Sequence, residues 1–283
     1  MPSSSGRTSK RFMPFQIDGT VVQNRQIKSV YFILGIHCPP IANLIQPGQF
    51  IMLKISEDHS PLLRRPFSVY KTYPENHPAK EKRGCLFICY KEVGKGTHKM
   101  TTLQKGKILN LIGPLGNGFT PPPLPSSANI ILIGGGVGIV SVYPFAEAFN
   151  HLKLFVFIGG KTKKDILCVE DFKKLNSKIF VSTENGSLGF RGTVVDLFLS
   201  QRKIFTEDKK YYLYACGPMP MLKALAGKIK SRNFIAQASL EARMGCGFGA
   251  CWGCVIKTNH SQTPYQRVCK EGPVFSFKDI CWD

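Results

Sequence analysis

A chain of 283 residues is longer than most single hydrophobic cores, so its length predicts two domains and leaves room for a small appended module. A content of 43% hydrophobic and 20% charged residues excludes a disordered or collagen-like chain. Lysine and arginine outnumber aspartate and glutamate by 38 to 18, and the resulting charge of +20 would attract an anionic cofactor, an acidic partner or nucleic acid. Because no arginine-rich run with interleaved aromatic residues accompanies this charge, we do not expect nucleic-acid binding.

The N-terminal segment is polar and basic. It has no apolar core of the kind a signal peptide needs, and no stretch of the chain approaches 18 consecutive apolar residues. We therefore expect residues 1–13 to form a flexible basic tail and the protein to be cytoplasmic, without a membrane anchor. Four of the ten cysteines lie within residues 246–269, which favours metal ligation over disulfides in such a chain.

Residues 14–125 are predicted to form a small antiparallel β-barrel. Short apolar or β-branched segments separated by glycine, proline and charged turns are typical of this architecture. The segments are Val21–Val22, Val30–Ile36, Gln49–Ile55, Phe67–Tyr70, Leu86–Tyr90 and Ile108–Ile112. The run Pro121–Ser127 can continue neither a helix nor a central strand, so we place a domain boundary there.

Residues 126–233 are predicted to form a parallel, doubly wound α/β domain, because buried-strand runs alternate with helical segments. The predicted strands are Asn129–Ile133, Leu154–Gly159, Ile179–Ser182 and Tyr211–Ala215, with a first helix at Val142–Phe149. From about Phe234 the periodicity fades, and glycine, cysteine and loop residues dominate. We expect residues 234–283 to form a small separate module, so the fold class is multi-domain.

The spacing Cys246-x4-Cys251-x2-Cys254-x14-Cys269 matches that of plant-type ferredoxins, whose four thiolates hold a [2Fe–2S] cluster. Four glycines among and beside the first three cysteines would let the backbone fold closely around a cluster and aim amide groups at its sulfurs. We predict that the four cysteines are the cluster ligands. The alternatives are buried structural cysteines or a zinc site, although zinc sites usually carry paired C-x2-C elements and only one is present.

The segment Ile131–Ile139 predicts a strand that turns through glycines into a helix, which would let the backbone and the helix N-terminus approach a pyrophosphate. Its spacing differs from the usual G-x-G-x-x-G, and a purely structural turn is the alternative. The candidate nucleotide-binding residues are Gly134, Gly135, Gly136 and Gly138.

Two further strand ends would border the same site, at residues 182–189 and 214–222. Open α/β sheets bind ligands at the carboxyl ends of their strands. In the second segment, Cys216 and Gly217 would lie at the strand tip, close enough to contact a nicotinamide ring, with Pro218 beginning the helix. An ordinary buried cysteine is the alternative for Cys216.

Two segments of the predicted barrel have residues suited to a flavin nucleotide. Arg64–Ser68 joins a cation suited to phosphate, an aromatic ring suited to stacking on a flavin and a hydroxyl able to bond the flavin edge. Cys89–Thr97 is a strand followed by a glycine turn, whose amides and threonine can hold a pyrophosphate. For each segment taken alone, a strand and turn without a cofactor is the alternative.

Together, the motifs resemble those of the ferredoxin-reductase-like flavoproteins, and within them those of the electron-transfer subunits of class 1B dihydroorotate dehydrogenases. The motifs are RPFS, CYKEVGKGT, GPLGNGF, GGGVGI, ACGPMPML and the cysteine spacing. The resemblance begins at about residue 14 and is most specific at Leu240–Cys254 and Val268–Phe275. It implies NAD in the second domain and FAD on the barrel. The implied FAD contacts are Arg65, Pro66, Phe67, Ser68, Cys89, Tyr90, Lys91, Gly96 and Thr97.

The resemblance also implies a partner, an FMN-containing catalytic subunit that oxidises dihydroorotate to orotate in pyrimidine biosynthesis, in a heterotetramer with two copies of each chain. Electrons would pass from the partner's FMN through the cluster to FAD and then to NAD+. This order is expected because a cluster passes single electrons, nicotinamide takes a hydride and flavin does both. Hydride transfer demands no side-chain acid or base, so we predict no catalytic residue.

Three features depart from the pattern of these relatives: Ser141 in place of a usual proline, Glu184 in place of a common aspartate, and the insertion Lys71–Arg83. They bear on nicotinamide affinity and on whether NAD+ is the acceptor. The second interpretation is a related flavin and iron–sulfur NAD(P)H reductase subunit that serves ferredoxin, polysulfide or hydrogenase. The third is a zinc-stabilised basic module that binds nucleic acid, which leaves the flavin motifs unexplained.

Overall fold

The computed structural model describes residues 14–56, 60–123, 128–206, 208–229 and 233–282. The predicted basic tail, residues 1–13, and residues 124–127 of the predicted boundary lie outside the described residues. Across the described ranges the chain forms two seven-stranded sheets and one two-stranded ribbon.

The first sheet is the antiparallel barrel. Its strands are β1 (Phe15–Lys28), β2 (Tyr31–His37), β3 (Phe50–Leu53), β4 (Arg65–Ser68), β5 (Lys71–Tyr73), β6 (Cys85–Lys91) and β7 (Ile108–Leu115). They lie in the order β4-β3-β7-β1-β2-β6-β5, and every neighbouring pair is antiparallel. Two short helices, α1 (Pro39–Ala42) and α2 (Lys95–Thr101), lie in the connections. The insertion Lys71–Arg83 contributes β5 and a 3₁₀ turn at Lys80–Lys82.

Strand β3 is buried on both faces, which explains its unbroken apolar sequence. Ile51 and Leu53 point into the barrel core. Phe50 and Met52 point the other way, into a second core that contains Cys254 and the interior of the second domain. The barrel is therefore packed directly against the cysteine-containing segment.

The second sheet is the doubly wound domain. Its parallel strands are β8 (Asn129–Gly135), β9 (Leu154–Gly160), β10 (Ser177–Thr183), β11 (Phe190–Arg191), β12 (Tyr211–Cys216) and β13 (Phe234–Ser239). Its helices are α3 (Gly138–Ala148), α4 (Val169–Phe172), α5 (Val194–Ser200) and α6 (Met219–Ala226). The order is β11-β10-β9-β8-β12-β13, so the chain changes direction between β8 and β12. Ligands bind at such a switch point in open α/β sheets.

The cysteine segment is tied to both domains. It follows β13, continues through the ribbon of β14 (Val255–Lys257) and β15 (Tyr265–Arg267), and returns as β16 (Val274–Ser276), which pairs antiparallel with β13. On the barrel side, the Asn117 side chain donates to the backbone oxygens of Glu271 at 2.8 Å and Lys270 at 3.2 Å. The module predicted for residues 234–283 thus shares β13 with the second sheet.

Polar contacts also join the barrel to the second domain. Tyr31 Oη donates to Asp165 Oδ1 at 2.7 Å, and Tyr70 Oη and Lys71 Nζ donate to the Asp171 carboxylate at 2.5 and 2.7 Å. These bonds link β2 and β5 to the segments after β9, and Asp165 also lines one of the clefts described below. Among the described helices, none combines the length and the apolar character required to cross a bilayer.

Candidate cofactor clefts and cysteine site

The four cysteines of the ferredoxin-like spacing come together. Three lie on the loop between β13 and β14, and Cys269 lies on the turn after β15. The Cys251 thiol hydrogen-bonds to Cys246, and the Cys269 thiol hydrogen-bonds to Cys254, so the sulfurs form two neighbouring pairs. Each iron of a [2Fe–2S] cluster takes two protein ligands, which is the grouping seen here.

Backbone amides point at the sulfurs. The N–H groups of Ala250 and Cys251 donate to Cys246 Sγ at 3.3 and 3.4 Å, and that of Cys269 donates to Cys254 Sγ at 3.4 Å. Burial alone would raise the pKa of Cys246, but donation from Cys251, Phe248 and Ala250 lowers it to about 6. The thiolate, which is the form that binds metals, is therefore favoured at this position.

In the second pair, Cys269 is disfavoured as a free thiolate. Burial, followed by the neighbouring Cys254 and Cys246 sulfurs, raises the pKa of Cys269 to about 12. In the part of the chain that the structure describes, no group of three or more His, Cys, Asp or Glu side chains is placed to hold one metal ion. The two neighbouring sulfur pairs match the two protein ligands that each iron of a [2Fe–2S] cluster takes.

Two glycines allow the cysteine loop to approach its neighbours. Gly247 has a φ of +82°, and a Cβ there would lie 2.3 Å from Met52 Cγ. Gly249 has a φ of +94°, and a Cβ there would lie 2.5 Å from Lys270 Cδ. Both positions therefore require glycine, and the loop packs directly on β3 beside the flavin-type strand β4.

A cleft of about 390 Å³ lies beside β4 and the end of β6. Eight of the nine predicted FAD contacts line it: Arg65, Pro66, Phe67, Ser68, Cys89, Tyr90, Lys91 and Thr97. The opposite wall comes from the start of α3 and from the segment after β13. Its residues include Val137, Val140, Ser141, Leu240, Glu241, Ala242 and Met244. A second cavity, of about 470 Å³, lies on the barrel between β1, β3 and β7, and none of the predicted cofactor residues lines it.

The cleft beside β4 and β6 is called the flavin cleft here, after the cofactor predicted for its residues. One of its corners suits a pyrophosphate. A Cβ at Gly96, the ninth predicted contact, would lie 3.5 Å from Arg65 Nε, so the guanidinium lies beside the first turn of α2. The Thr97 hydroxyl accepts from the N–H groups of Val93 and Gly94 at 2.8 and 3.1 Å, which shapes that turn. A cation next to a helix N-terminus is suited to phosphate oxygens.

The aromatic wall of the flavin cleft is held from behind. The Tyr90 ring meets Phe67 edge to face at 6.2 Å and stacks on Phe32 at 5.4 Å. Tyr90 Oη donates to Asn24 Oδ1 at 3.2 Å. Burial raises the pKa of the adjacent Cys89 thiol to about 12, so this wall stays uncharged. A fixed apolar wall of this kind is suited to a flavin ring.

Another cleft, of about 620 Å³, lies at the carboxyl ends of β8, β9 and β10 and at the start of α6. It is called the nicotinamide cleft here, after the cofactor predicted for this end of the sheet. Gly135 and Gly136 of the predicted nucleotide turn line it, and so does Pro218, whose Cδ would lie 3.1 Å from a Cβ at Gly135. Other lining residues that carry polar groups are Tyr31, Lys161, Asp165, Glu184 and Thr193. The cleft has the position expected for a dinucleotide in this type of sheet.

The remaining predicted glycines lie behind this nicotinamide cleft. A Cβ at Gly134 would lie 2.4 Å from Ile139 Cα, and one at Gly138 would lie 2.4 Å from the carbonyl oxygen of Cys216. A Cβ at Gly217 would lie 2.6 Å from Met221 Cε. These three glycines allow the turn, β12 and α6 to pack closely.

The structure buries Cys216 at the end of β12, where its side chain lines neither cleft. It is 1% exposed, and its thiol bonds with Ser141 and Ser239. Burial raises the pKa of this thiol to about 12, with a smaller contribution from Glu241. In the arrangement seen here its neighbours, and not Cys216, line the two clefts.

The two clefts are adjacent, because Lys91, Val137 and Glu241 line both. Burial raises the pKa of the Glu241 carboxyl, although the side chain is open to the clefts. Neither Glu241 nor Asp165 was predicted from the sequence as a site residue. Glu241 lies within the motif next to the cysteines, and Asp165 lies shortly after β9, so proximity to a strand end was the available signal.

Two family models match the chain. Residues 241–281 match the iron–sulfur cluster binding domain of dihydroorotate dehydrogenase B, and residues 132–227 match an oxidoreductase NAD-binding domain. The dihydroorotate dehydrogenase B (NAD(+)) electron transfer subunit of Geobacillus thermodenitrificans is 36% identical over 263 residues, which are 92% of this chain and 96% of the relative. That of Desulforamulus reducens is 34% identical over 255 residues, 89% and 93% of the two chains. The chain belongs to this family of electron transfer subunits.

Two solved structures are similar to this chain in fold. The structure of an NADH-dependent reduced ferredoxin-NADP oxidoreductase, described in connection with flavin-based electron bifurcation, has a TM-score of 0.78 and 29% identity and covers 94% of this chain and 90% of its own. The ferredoxin reductase of carbazole 1,9a-dioxygenase has a TM-score of 0.64 and 20% identity, covering 78% and 69%, and shows the fold alone. The predicted architecture of an antiparallel flavin-type barrel, a nucleotide-binding α/β domain and a C-terminal cluster domain is confirmed.

Proposed function

We propose that this protein is the electron transfer subunit of an NAD-linked dihydroorotate dehydrogenase. In pyrimidine biosynthesis it takes electrons from an FMN-containing catalytic subunit through a [2Fe–2S] cluster and FAD, and it delivers them to NAD+. The adjacency of the three sites carries the proposal. Glu241 lines both clefts, Met244 lines the flavin cleft, and the first ligand cysteine, Cys246, follows two residues later.

The chain's own residues bind and orient the cofactors. Arg65 and the first turn of α2 are placed for a pyrophosphate, Phe67 and Tyr90 form an apolar wall, and the turn at Gly135 and Gly136 admits a second nucleotide. When bound, FAD supplies the exchange between single electrons and the hydride that nicotinamide accepts. Positioning of the two clefts side by side is the protein's contribution.

The residue assignments form part of the proposal. We assign the cluster to Cys246, Cys251, Cys254 and Cys269, which the paired sulfurs and the amide donors support. We assign FAD to Arg65–Ser68, Cys89–Lys91, Gly96 and Thr97, and NAD to the turn at Gly134–Gly138 with Cys216 and Gly217 behind it. A domain division at 14–125, 126–233 and 234–283 is proposed, with β13 shared between the last two.

The partner is proposed to be an FMN-containing catalytic subunit, in a heterotetramer with two copies of each chain. Cys251 is exposed, and the adjacent Phe248 and Trp252 are 49% and 54% exposed. The cluster site therefore reaches a surface that another protein can approach. A cytoplasmic location is also proposed, supported by ten cysteines that all lie outside disulfides, as is usual in reducing compartments.

A second candidate keeps the cofactors and changes the partner. The 29% identity and 94% coverage with an NADH-dependent reduced ferredoxin-NADP oxidoreductase favour a reductase that serves ferredoxin. The two candidates share the same clefts and the same cysteine site. The electron donor distinguishes them.

The test is purification of the chain with its associated proteins, followed by the visible spectrum, iron, sulfide and flavin analysis. We expect FAD and a [2Fe–2S] cluster on this chain, an FMN protein that copurifies with it, and dihydroorotate:NAD+ activity in the mixture but not in the isolated subunit. Cys251→Ser should abolish the cluster spectrum and leave FAD bound, while Cys281→Ser, outside the spacing, should leave both. One zinc and no iron would contradict the cluster assignment, and reduction of ferredoxin without dihydroorotate activity would favour the second candidate.

A further inference from the structure

Two separate segments supply the four cysteines, and one arginine joins them. Arg267 lies on β15, two residues before Cys269. Its Nη1 donates to the carbonyl oxygen of Gly249 at 2.6 Å, and its guanidinium lies 4.3 Å from the centre of the Trp252 ring. Gly249 and Trp252 belong to the other segment, and each lies between two ligand cysteines. A single side chain therefore holds the loop at two points.

Glu271 fixes the orientation of this guanidinium. Arg267 Nε and Nη2 donate to the two carboxylate oxygens at 3.1 and 2.6 Å, and the backbone N–H of Arg267 donates to the same carboxylate at 2.8 Å. The Arg267 and Glu271 side chains are only 15% and 30% exposed. Such a two-pronged ion pair restricts the plane of the guanidinium, which an ammonium group could not reproduce. Asn117 of the barrel in turn holds the Glu271 carbonyl oxygen at 2.8 Å.

The loop that contains Cys246, Cys251 and Cys254 has backbone conformations that contacts with other segments must stabilise. Trp252 has a φ of +56°, in the left-handed region that a bulky side chain rarely adopts, and Gly249 has a φ of +94°. Such a backbone persists only where surrounding contacts determine it. The stacking of Arg267 on the exposed Trp252 ring, together with its bond to Gly249, provides two of these contacts.

We propose that Arg267 is a positioning residue of the cluster site. It clamps the loop of Cys246, Cys251 and Cys254 onto the turn of Cys269, and with Glu271 it sets the local charge that the cluster experiences. This inference rests on the proposed function in one respect, namely that the four cysteines hold a [2Fe–2S] cluster. Reduction adds negative charge to a cluster, so loss of the Arg267 cation beside an ionised Glu271 disfavours the reduced state.

Four variants separate the clamp from the charge. Arg267→Lys keeps the charge and loses the two-pronged pair, Arg267→Gln loses both, and the double variant Arg267→Gln with Glu271→Gln restores the net charge without the clamp. Lys257→Gln removes a cation from exposed β14 of the same module and serves as the matched control. The measurements are FAD content, the rate of iron release to a chelator, and a redox titration of the cluster's electron paramagnetic resonance signal.

We expect all variants to retain FAD. Iron release should be about tenfold faster in all three Arg267 variants and unchanged in Lys257→Gln. In Arg267→Gln the reduced-to-oxidised ratio at a fixed potential should fall about tenfold, a shift of about 59 mV for one electron. That ratio should return towards the wild-type value in the double variant and stay near it in Arg267→Lys. If Arg267→Gln assembles no cluster while FAD remains bound, that loss supports the clamp.

Two outcomes overturn the inference at different levels. Wild-type protein that binds FAD but contains neither iron nor sulfide removes the cluster assignment and this proposal with it. Wild-type protein that carries the cluster, with Arg267→Lys and Arg267→Gln indistinguishable from Lys257→Gln in iron release and in potential, overturns the clamp alone and leaves the proposed function standing.

Discussion

Gly138, the first residue of α3, packs so closely on β12 that an added methyl group has no space. A Cβ at this position would lie 2.4 Å from the carbonyl oxygen of Cys216 and 2.6 Å from its carbonyl carbon. Both are backbone atoms of β12, so the strand and α3 would have to separate by about 1 Å, from 2.4 to 3.4 Å, to reach ordinary contact. Overpacking of this kind costs about 1–3 kcal/mol.

We therefore predict that Gly138→Ala lowers the free energy of unfolding by about 2 kcal/mol. NADH binding should also weaken about tenfold, equivalent to about 1.4 kcal/mol, because Gly135 and Gly136 on the turn before α3 line the nicotinamide cleft. Urea unfolding followed by circular dichroism measures the first effect. Titration of flavin reduction with NADH measures the second.

Two other glycines provide matched controls. A Cβ at Gly136 meets nothing within 4 Å, but the φ of +55° makes Gly136→Ala cost about 1 kcal/mol through backbone strain. Gly227, at the end of α6, has a right-handed helical φ of −64° and a nearest contact of 3.6 Å, so Gly227→Ala should be neutral or stabilising by up to about 1 kcal/mol. If Gly138→Ala behaves as Gly227→Ala does in both measurements, the packing argument is refuted.

Two further predictions concern charged groups. Burial alone would raise the pKa of the Asp171 carboxyl, but donation by Lys71 and Tyr70 holds this pKa below its ordinary value. The ionised carboxylate therefore stabilises the fold above about pH 4, and this stabilisation is lost as the pH falls through the lowered folded-state pKa. Asp171→Asn should therefore lower the free energy of unfolding by about 2 kcal/mol at pH 7 and by less at pH 3.5. Glu170→Gln, at an exposed position, is the control. A loss of stability that does not change with pH would contradict the prediction. Glu184 lines the nicotinamide cleft after β10, where a carboxylate repels the 2′-phosphate of NADPH. Glu184→Ser should therefore raise kcat/KM for NADPH relative to NADH about tenfold. An unchanged ratio would contradict this prediction.

The strands that the sequence predicted are those whose pattern is set by burial. In β8, Ile130 and Leu132 enter one core and Ile131 and Ile133 enter another, so a strand buried on both faces reads as an unbroken apolar run. Strands β5 and β11 were not predicted because they span only three and two residues, too few to show a period. The pairing of β13 with β12 depends on a partner about twenty residues away, which local pattern does not reveal.

The candidate site was predictable in its residue types and less so in their placement. The cysteine spacing was enough to predict the ligands, because a short loop keeps the thiols of Cys246, Cys251 and Cys254 near one another. The glycine turn does not show by itself that Gly135 and Gly136 line a cleft while Gly138 faces the backbone of β12. The position of Cys216 likewise depends on Ser141 of α3 and Ser239 of β13, which only the fold brings to the thiol.

The link between the flavin cleft and the cluster is short and is held at both ends. Glu241 lines both clefts, and Cys246 follows five residues later, so chain connectivity alone keeps the two within about 18 Å. The segment leaves the sheet at β13 and returns at β16, which pairs with β13. The cluster site cannot move away from the flavin cleft without breaking those pairs and the contact of Gly247 with Met52. The distance between these two sites is therefore a property of this chain, and only the electron donor's approach to the exposed Cys251 depends on a partner.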